Sequence, residues 1–362
     1  MPPALSAPPA AATTTMRAIR KDRAAAGLTF HTDQPVPEPK EGEVRIRVSA
    51  VGICGTDVHI YDWDKWSSGR MHPPTTIGHE FVGIVEKVGP DVSHVQPGQR
   101  VSAEGHITCG VCQFCRTGEG HICRDVKIIG VDRDGCMADF IVMPAGNLWP
   151  VPDSLPDKFA ALYDPLGNAM HTVMAQPVGG KSVVIMGAGA IGLMAVAIAK
   201  TAGAGQVFAV DPNPKKRDLA TKVGADRVVN PAAEDPVAII REATQGYGAD
   251  VVLEMSGHPT GIGQALAAVR NGGEVALLGI PSKEVSIDLS RDVIFKGITL
   301  RGINGRRMYT TWYQSQDFLV RNHQRIAPLV SHVFKLEEFE AAFDLLHRGE
   351  ACKIVFDVNM TK

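Results

Sequence analysis

The first part of the chain alternates short apolar runs with glycine and proline. Between residues 16 and 151, such runs occupy residues 44–51, 81–88, 100–103 and 140–144. Runs of this length favour strands over helices, because an amphipathic helix needs a longer stretch with apolar residues three and four positions apart. The pattern therefore predicts a β-rich, barrel-like domain.

The pattern changes at about Lys181, where long apolar strands alternate with helical patterns. A strand at 182–186, predicted to be fully buried, leads into a glycine-rich turn (residues 187–192) and then a helix at 193–201. Glycines at such a turn let the backbone approach a pyrophosphate closely, and the N-terminus of the helix supplies N–H groups to bind it. A second strand at 206–210 ends in an acidic residue at the interval expected for a ribose-binding carboxylate. The residues predicted to bind a dinucleotide are thus Gly187, Gly189, Gly192 and Asp211.

The same alternation continues towards the C-terminus and predicts a doubly wound parallel sheet of the Rossmann type. Further strands are predicted at 227–229, 250–254, 274–278 and 299–302, with helices at 236–244 and 261–269. Ligands lie at the strand ends of such sheets. The strand ends at Ser256, Gly257, Leu278, Gly279, Ile280, Ile303 and Asn304 are therefore candidate cofactor contacts, although turn chemistry alone also explains these residue types.

After Arg306 the pattern leaves this sheet. A helix is followed by predicted strands at 330–334 and 353–358 that flank an amphipathic helix at 336–348. We expect these last elements to return at least partly to the first domain. The cleft between the two domains would then hold the active site.

Asp211 bears on the choice of cofactor. A carboxylate at this position accepts hydrogen bonds from the adenine-ribose hydroxyls and repels the 2′-phosphate of NADP. The sequence therefore favours NAD. The basic run Lys215, Lys216 and Arg217 is an alternative phosphate site, and its plainer interpretation is the solvated first turn of a helix.

A candidate metal site lies within the β-rich part. Cys54, His79 and Glu80 combine a thiolate, an imidazole and a carboxylate, the ligand types of a zinc ion whose fourth position is open to substrate. Each of these residues alone is more often an ordinary core or surface residue. Thr56 and His59 lie beside Cys54, where a hydroxyl and an imidazole can carry a proton from a metal-bound oxygen to solvent.

Four further cysteines form a closely spaced array in a loop rich in glycine and polar residues, namely Cys109, Cys112, Cys115 and Cys123. Four thiolates at this spacing suit a closed structural zinc that stabilises a loop with little apolar content. An iron–sulfur cluster and a redox-active dithiol are the alternatives. The two other cysteines, Cys136 and Cys352, are predicted to be ordinary buried thiols.

Composition excludes several classes of partner. The formal net charge is −2, which gives no electrostatic footprint for nucleic acid or an anionic membrane, and no apolar run is long enough to span a bilayer. With five of the seven cysteines assigned to metals, nothing requires an oxidising compartment, so the cytoplasm is the expected location. Residues 1–15 contain only alanine, proline, serine, threonine, leucine and methionine, and we predict a disordered extension with Met16 as a candidate start.

The metal ligands, the cysteine array and the glycine-rich turn, in this order, resemble the zinc-containing medium-chain dehydrogenase/reductase family from Met16 onwards. The resemblance implies an α/β protein with a GroES-like catalytic domain (16–165), a Rossmann NAD-binding domain (166–310) and a C-terminal segment (311–362). It also implies two zinc ions per chain, NAD contacts by Ile191 and Lys216, a role for Asp164 in proton transfer, and a homotetramer.

Longer strings resemble the branch of this family that oxidises L-threonine. They are residues 54–63, 104–110, 164–172 and 311–313. The resemblance implies oxidation of the threonine hydroxyl carbon with hydride transfer to NAD. Two alternatives remain, a polyol or diol dehydrogenase of the same family and a non-catalytic NAD-binding regulatory protein.

Overall fold

A computed structural model describes residues 14–281 and 283–360. Most of the predicted disordered extension, residues 1–13, lies outside the described residues. Its C-terminal boundary at residue 15 is wrong, because Thr15 already belongs to the first strand, which pairs Thr15 with Pro35.

Eighteen strands are present in the described residues. They are β1 (Thr15–Lys21), β2 (Thr29–Pro35), β3 (Glu43–Gly52), β4 (Thr75–Thr76), β5 (Glu80–Val88), β6 (Arg100–Ala103), β7 (His106–Ile107), β8 (Lys127–Ile128), β9 (Phe140–Pro144), β10 (Leu148–Pro150), β11 (Ser182–Met186), β12 (Gln206–Val210), β13 (Arg227–Val229), β14 (Ala249–Glu254), β15 (Val269–Leu277), β16 (Thr299–Gly302), β17 (Val330–Phe334) and β18 (Lys353–Asp357).

The α-helices of the described residues are α1 (Gly55–Asp62), α2 (Lys65–Ser68), α3 (Gln113–Arg116), α4 (Asp157–Ala160), α5 (Tyr163–Met174), α6 (Ala190–Thr201), α7 (Pro214–Val223), α8 (Pro236–Ala243), α9 (Pro259–Ala268), α10 (Thr310–Ile326) and α11 (Phe339–His347). No helix in the described part of the chain is long and apolar enough to cross a membrane.

The N-terminal half forms a seven-stranded sheet built around β3. Strand β3 pairs antiparallel with β5, with β9 and with β18, and the path through the sheet runs β10-β6-β5-β3-β18-β17. The C-terminal strands β17 and β18 thus belong to this seven-stranded sheet, whereas β1, β2 and β4 form a separate three-stranded sheet. This arrangement carries Lys353, at the start of β18, into the middle of the molecule. The exact domain boundaries remain predictions.

The second half forms a six-stranded parallel sheet in the order β13-β12-β11-β14-β15-β16. This is the strand order of the Rossmann fold, and the order reverses between β11 and β14. The glycine-rich turn follows β11 directly, so it lies at the crevice where such sheets bind ligands. The predicted doubly wound sheet is confirmed.

Some predicted element bounds differ from the observed ones for local reasons. The helix predicted at 261–269 begins earlier, at Pro259, because His258 caps it by accepting a hydrogen bond from the Thr260 N–H. The helix predicted at 193–201 likewise begins at Ala190, directly after its N-cap Gly189. Residues 336–338 form a 3₁₀ turn before α11. Helices α1 and α5, which carry site residues, have no counterpart in the sequence-based prediction.

Candidate active site

The three predicted zinc ligands lie together although they come from separate elements. Cys54 is the N-cap residue of α1, His79 precedes β5, and Glu80 is the first residue of β5. One side-chain donor atom from each residue lies within 4.8 Å of the other two. Strands β3 and β5 create this proximity, because Gly52 and Glu80 are paired across the sheet. A side chain on Gly52 would collide with Glu80, since an added Cβ would lie 2.2 Å from Glu80 Oε2.

Buried polar atoms without partners surround this triad. Within the described residues, His79 Nδ1 and Asp57 Oδ1 are buried and neither donates nor accepts a hydrogen bond. His79 Nδ1 lies 3.9 Å from Asp57 Oδ1, while Asp57 Oδ2 accepts a hydrogen bond of 2.8 Å from the Cys54 N–H. A carboxylate behind a histidine is the usual outer partner of a metal-binding imidazole, and it would leave Nε2 free for the ion.

The electrostatics of the triad favour a cation. Burial alone would lower the pKa of His79, but the negative charges of Cys54 and Asp57 outweigh it and raise that pKa to about 10. Burial raises the pKa of Asp57 and outweighs the opposing effect of the neighbouring His79. A cluster that attracts a proton this strongly also attracts a divalent metal. The donor set therefore fits zinc.

A buried lysine contacts this cluster and was not anticipated from the sequence. Lys353 Nζ donates hydrogen bonds of 2.7 Å to Glu80 Oε1 and to the Ile53 carbonyl, and its side chain is 2% exposed. No sequence signal identifies it, because 273 residues separate Lys353 from Glu80. Its ion pair with Glu80 offsets part of the cost of burying both charges.

The two predicted relay residues lie on α1, one turn apart. Thr56 Oγ1 lies 3.7 Å from Cys54 Sγ. His59 is largely exposed, and its Nδ1 lies 2.7 Å from Asp64 Oδ2. His59 also lines a cavity of about 410 Å³ together with Cys54, Glu80 and Lys353. The helix thus connects the triad to solvent.

Asp164 is held in a buried ion-pair chain. Its Oδ2 lies 2.5 Å from Arg306 Nη1, and the same guanidinium binds both carboxylate oxygens of Glu104. Trp312 Nε1 donates a further hydrogen bond of 2.8 Å to Glu104. Burial raises the pKa of Glu104 by itself, but Arg306 outweighs it and holds the net pKa well below the usual range. Gly167 makes room for this chain, because a Cβ there would lie 2.8 Å from Arg306 Cδ.

The four cysteines of the array converge. The sulfur atoms of Cys112 and Cys115 lie 3.5 Å apart, as do those of Cys109 and Cys123, and two other pairs lie at 3.9 and 4.0 Å. Zinc–sulfur bonds of about 2.3 Å place tetrahedral sulfurs roughly 3.8 Å apart. Backbone N–H groups of Cys115 and Arg124 lower the pKa of Cys112 to about 6, which favours its thiolate form. This array fits a closed tetrahedral zinc.

The glycine-rich turn has the geometry of a phosphate-binding loop. Gly187 adopts a positive φ of 95°, and a Cβ there would lie 2.8 Å from the Ser256 nitrogen. A Cβ on Gly192 would lie 2.0 Å from the Gly187 carbonyl oxygen, so only glycine allows α6 to pack against the turn. A Cβ on Gly189 would meet nothing within 4 Å, so the side of the turn that this residue faces is open.

The acidic and basic residues beyond β12 have different partners. Asp211 Oδ2 accepts a hydrogen bond of 2.9 Å from the Ala188 N–H of the glycine-rich turn. Arg217 Nη1 donates to the carbonyls of Asp211 and Pro212, so this guanidinium stabilises the turn after β12. Lys216 and Ile191 instead line the same cavity as Cys54 and Glu80. Lys215 is exposed at the start of α7.

The remaining predicted cofactor residues lie further away from that cavity. Leu278, Gly279 and Ile280 follow β15, and the Ile280 side chain is 82% exposed. Ile303 and Asn304 follow β16 and line a different cavity, on the side of the cysteine array. The structure therefore brings the glycine-rich turn, Ile191 and Lys216 to the triad, whereas the roles of Leu278, Gly279, Ile280, Ile303 and Asn304 remain predictions.

Comparison with known proteins gives consistent matches over most of the chain. Residues 40–153 match the alcohol dehydrogenase GroES-like domain, and residues 190–321 match the zinc-binding dehydrogenase domain. L-threonine 3-dehydrogenase of Bacillus subtilis is 48% identical over 341 residues, which cover 94% of this chain and 98% of that protein.

Solved structures of dehydrogenases have the same fold. An alcohol dehydrogenase of Thermotoga maritima superimposes with a TM-score of 0.87 at 26% identity, covering 95% of this chain and 99% of that one. The 2R,3R-butanediol dehydrogenase of Bacillus subtilis gives a TM-score of 0.86 at 27% identity, covering 95% and 100%. The predicted α/β fold with GroES-like and Rossmann parts is confirmed, and the chain belongs to the zinc-binding dehydrogenase family, among the relatives of the L-threonine 3-dehydrogenases.

Proposed function

We propose that this protein oxidises L-threonine to L-2-amino-3-oxobutanoate with transfer of a hydride to NAD. The observation that carries the proposal is the clustering of Cys54, His79 and Glu80 beside a cavity that Cys54 and Glu80 line together with Ile191 of the dinucleotide-binding turn. Identity of 48% to an L-threonine 3-dehydrogenase over nearly the whole chain supports this substrate.

Cys54, His79 and Glu80 would hold the catalytic zinc, and Cys109, Cys112, Cys115 and Cys123 the structural one. When bound, zinc would supply a Lewis acid that lowers the pKa of the substrate hydroxyl, and NAD would supply the hydride acceptor. Thr56 accepts the proton of the substrate hydroxyl and passes it to His59. His59 delivers it to solvent, where its imidazole is largely exposed.

Asp164 would assist proton transfer near the substrate. Its carboxylate is fixed by Arg306, whose guanidinium is in turn fixed by Glu104, so Asp164 has little rotational freedom. With Oδ2 held by Arg306, the carboxylate of Asp164 would present its other oxygen in a defined direction to the reacting hydroxyl.

The cofactor choice rests on the turn after β12. Asp211 lies beside the glycine-rich turn, where its carboxylate would accept hydrogen bonds from the adenine-ribose hydroxyls. The neighbouring Arg217 guanidinium donates to two backbone carbonyls, which makes it less available to a 2′-phosphate. NAD is therefore favoured over NADP.

A polyol or diol dehydrogenase is the second candidate. The butanediol dehydrogenase of Bacillus subtilis has the same fold, but its identity to this chain is 27%, against 48% for the threonine enzyme of that organism. A non-catalytic NAD-binding protein has no need of the relay residues Thr56 and His59.

NADH formation at 340 nm separates these candidates. Purified, zinc-loaded protein is given NAD with L-threonine, sorbitol, 2,3-butanediol or ethanol in parallel. Turnover of L-threonine alone is expected, and preference for butanediol or sorbitol would overturn the substrate assignment. His59→Asn is expected to slow turnover by at least about tenfold with zinc content unchanged. His332→Asn, a substitution on β17 away from the cavity, is the matched control.

We further propose a cytoplasmic homotetramer. All seven cysteines are free thiols, as zinc binding in a reducing compartment requires. Strand β16 ends the six-stranded sheet, and the neighbouring apolar side chains of Ile294 and Phe295 are 66% and 82% exposed, which suits burial against another copy. Light scattering coupled to size exclusion measures the number of copies.

A further inference from the structure

A second cavity, of about 430 Å³, lies on the side of the molecule that faces the cysteine array. It is bounded by the segment that precedes Cys123, by the C-terminal half of α5 and by residues 301–314. His121, His171, Arg301 and Arg307 contribute the basic groups of its lining. We call these four residues the basic cluster.

The basic cluster is not neutralised by the protein. Glu119 is the single carboxylate in the cavity lining, and within the described residues neither Arg301 nor Arg307 has a carboxylate oxygen within 4.0 Å. The neighbouring Arg306, by contrast, is paired with Asp164 and Glu104. Two free guanidiniums at one cavity form a positive field that is open to a ligand.

The two histidines add hydrogen-bonding groups to this field. Their rings are nearly perpendicular, with centroids 5.5 Å apart. His171 Nδ1 lies 3.0 Å from the Gly305 carbonyl and therefore donates to it, whereas the buried His121 Nδ1 has no partner among the described residues. Burial lowers the pKa of both imidazoles, and the charge of Arg307 lowers it further. An anion in the cavity would relieve this repulsion.

We propose that the basic cluster binds a small anion that carries a phosphate or carboxylate group. Guanidinium groups bind both kinds of oxyanion through paired N–H donors, and His121 Nδ1, which has no partner among the described residues, offers one further donor. The site differs from the zinc-ligand cavity, because His171 lies seven residues beyond Asp164 on α5, roughly 10 Å along the helix axis. Binding does not depend on the proposed substrate.

Occupancy of this site would affect the neighbouring segment 303–307. Asn304 donates a hydrogen bond of 3.5 Å to the His121 carbonyl, and Gly305 accepts one from His171. Arg306, which holds Asp164, lies in the same segment. An anion bound by Arg301 and Arg307 would therefore restrict the backbone that positions Arg306.

Isothermal titration of the zinc- and NADH-loaded protein tests the proposal. NADH occupies the dinucleotide site, so added anions cannot bind there. Inorganic phosphate and succinate are titrated separately at constant ionic strength, and the stronger of the two identifies the anion class. We expect about one equivalent per chain, and at least about a tenfold loss of affinity in Arg301→Gln/Arg307→Gln.

Control variants distinguish loss of the anion site from a general effect of removing an arginine. Arg321→Gln removes an exposed guanidinium on α10 and is expected to bind like the unmodified protein. If the double variant has a lower melting temperature than the unmodified protein, the single variants Arg301→Gln and Arg307→Gln are titrated in its place. The proposal would be overturned if neither anion gave binding heat, or if all variants bound the anions with equal affinity. It would also be overturned if the Arg301 and Arg307 variants changed the oligomeric mass of the protein without changing its affinity for the anions.

Discussion

At the scale of single residues, the pairing of Lys353 with Glu80 is the feature that most affects the zinc-ligand triad. Both side chains are buried, and Lys353 Nζ contacts both carboxylate oxygens, at 2.7 and 2.5 Å. Lys353 therefore supplies positive charge to a carboxylate that the metal would also neutralise. The contribution of Lys353 to the free energy of unfolding is therefore expected to depend on whether zinc is bound at the triad.

Replacing Lys353 tests this relationship. Lys353→Met leaves Glu80 as a buried carboxylate without its ion-pair partner, which costs about 3–5 kcal/mol when nothing else neutralises it. We expect a smaller loss when zinc occupies the triad, because the metal neutralises Glu80. Unfolding is measured with the fully zinc-loaded protein and again in a Cys54→Ser background, which keeps the cysteine-array zinc.

Lys353→Arg, which retains the charge, is the matched control for that comparison. Equal destabilisation by Lys353→Met in both backgrounds would show that Lys353 acts independently of the metal site.

At the scale of elements, a side-chain cluster fixes the start of the Rossmann sheet. Asp250, in β14, accepts hydrogen bonds of 2.8 and 2.7 Å from the N–H and hydroxyl of Ser182, the first residue of β11. Its other oxygen accepts a hydrogen bond of 2.8 Å from Arg270 Nε in β15. One carboxylate thus connects three adjacent strands.

This cluster predicts a pH-dependent contribution to stability. Burial raises the pKa of Asp250, but the hydrogen bonds from Arg270 and Ser182 outweigh it, so its net pKa is lowered. A lowered carboxyl pKa stabilises the fold above the unfolded-state pKa of about 3.9 and loses this effect as pH falls through the folded-state pKa. Asp250→Asn is expected to cost about 1 kcal/mol at pH 7.

Urea unfolding of both proteins between pH 7 and pH 3 measures this difference, which should shrink only at the acidic end of the range. Asp292→Asn, which removes a partner of the exposed Arg291, is the control and is expected to show no comparable change. A difference that stays constant down to pH 3 would contradict the assignment.

At the scale of the whole molecule, two metal centres have separate roles. The triad of Cys54, His79 and Glu80 lies beside a cavity between the two halves of the chain, which Cys54 and Glu80 line. The cysteine array lies in a segment whose helix and strands are each four residues long or shorter, so the segment has little regular structure of its own. We expect the first centre to serve chemistry and the second to serve folding.

Single cysteine substitutions distinguish these roles. Cys54→Ser is expected to reduce the zinc content from two ions to one and abolish turnover while the melting temperature stays close to its original value. Cys112→Ser is expected to lower the melting temperature by several degrees, because the metal supplies folding free energy that the loop cannot replace. Zinc analysis and calorimetry measure both effects. A large loss of stability in Cys54→Ser with little change in Cys112→Ser would reverse the assignment.

Much of the fold could be predicted from the sequence because its signals are local. The glycine-rich turn between β11 and α6 and the repeated strand–helix pattern depend on neighbouring residues, and the observed strand order agrees with them. Helix α1 escaped prediction because its sequence has almost no apolar period. Helix α5 does have an apolar face, but Pro165 and Gly167 near its start are residues that disfavour a helix. Helix termini at Gly189 and Pro259 depend on caps that the apolar pattern does not reveal.

The sequence by itself determined the kinds of ligand that the chain offers: a mixed Cys-His-Glu set, a four-cysteine array and a dinucleotide-binding turn. These are properties of residue type and short spacing. Only the tertiary structure decided which distant side chains surround them. Asp57 lies behind His79 because β3 pairs with β5, and Lys353 reaches Glu80 because β18 returns to β3. Arg306 lies between Asp164 and Glu104 because the segment after β16 packs against the first domain. Such pairs leave no local sequence pattern, because each buried charge is neutralised by a residue that is distant in sequence and becomes its neighbour only when the chain folds.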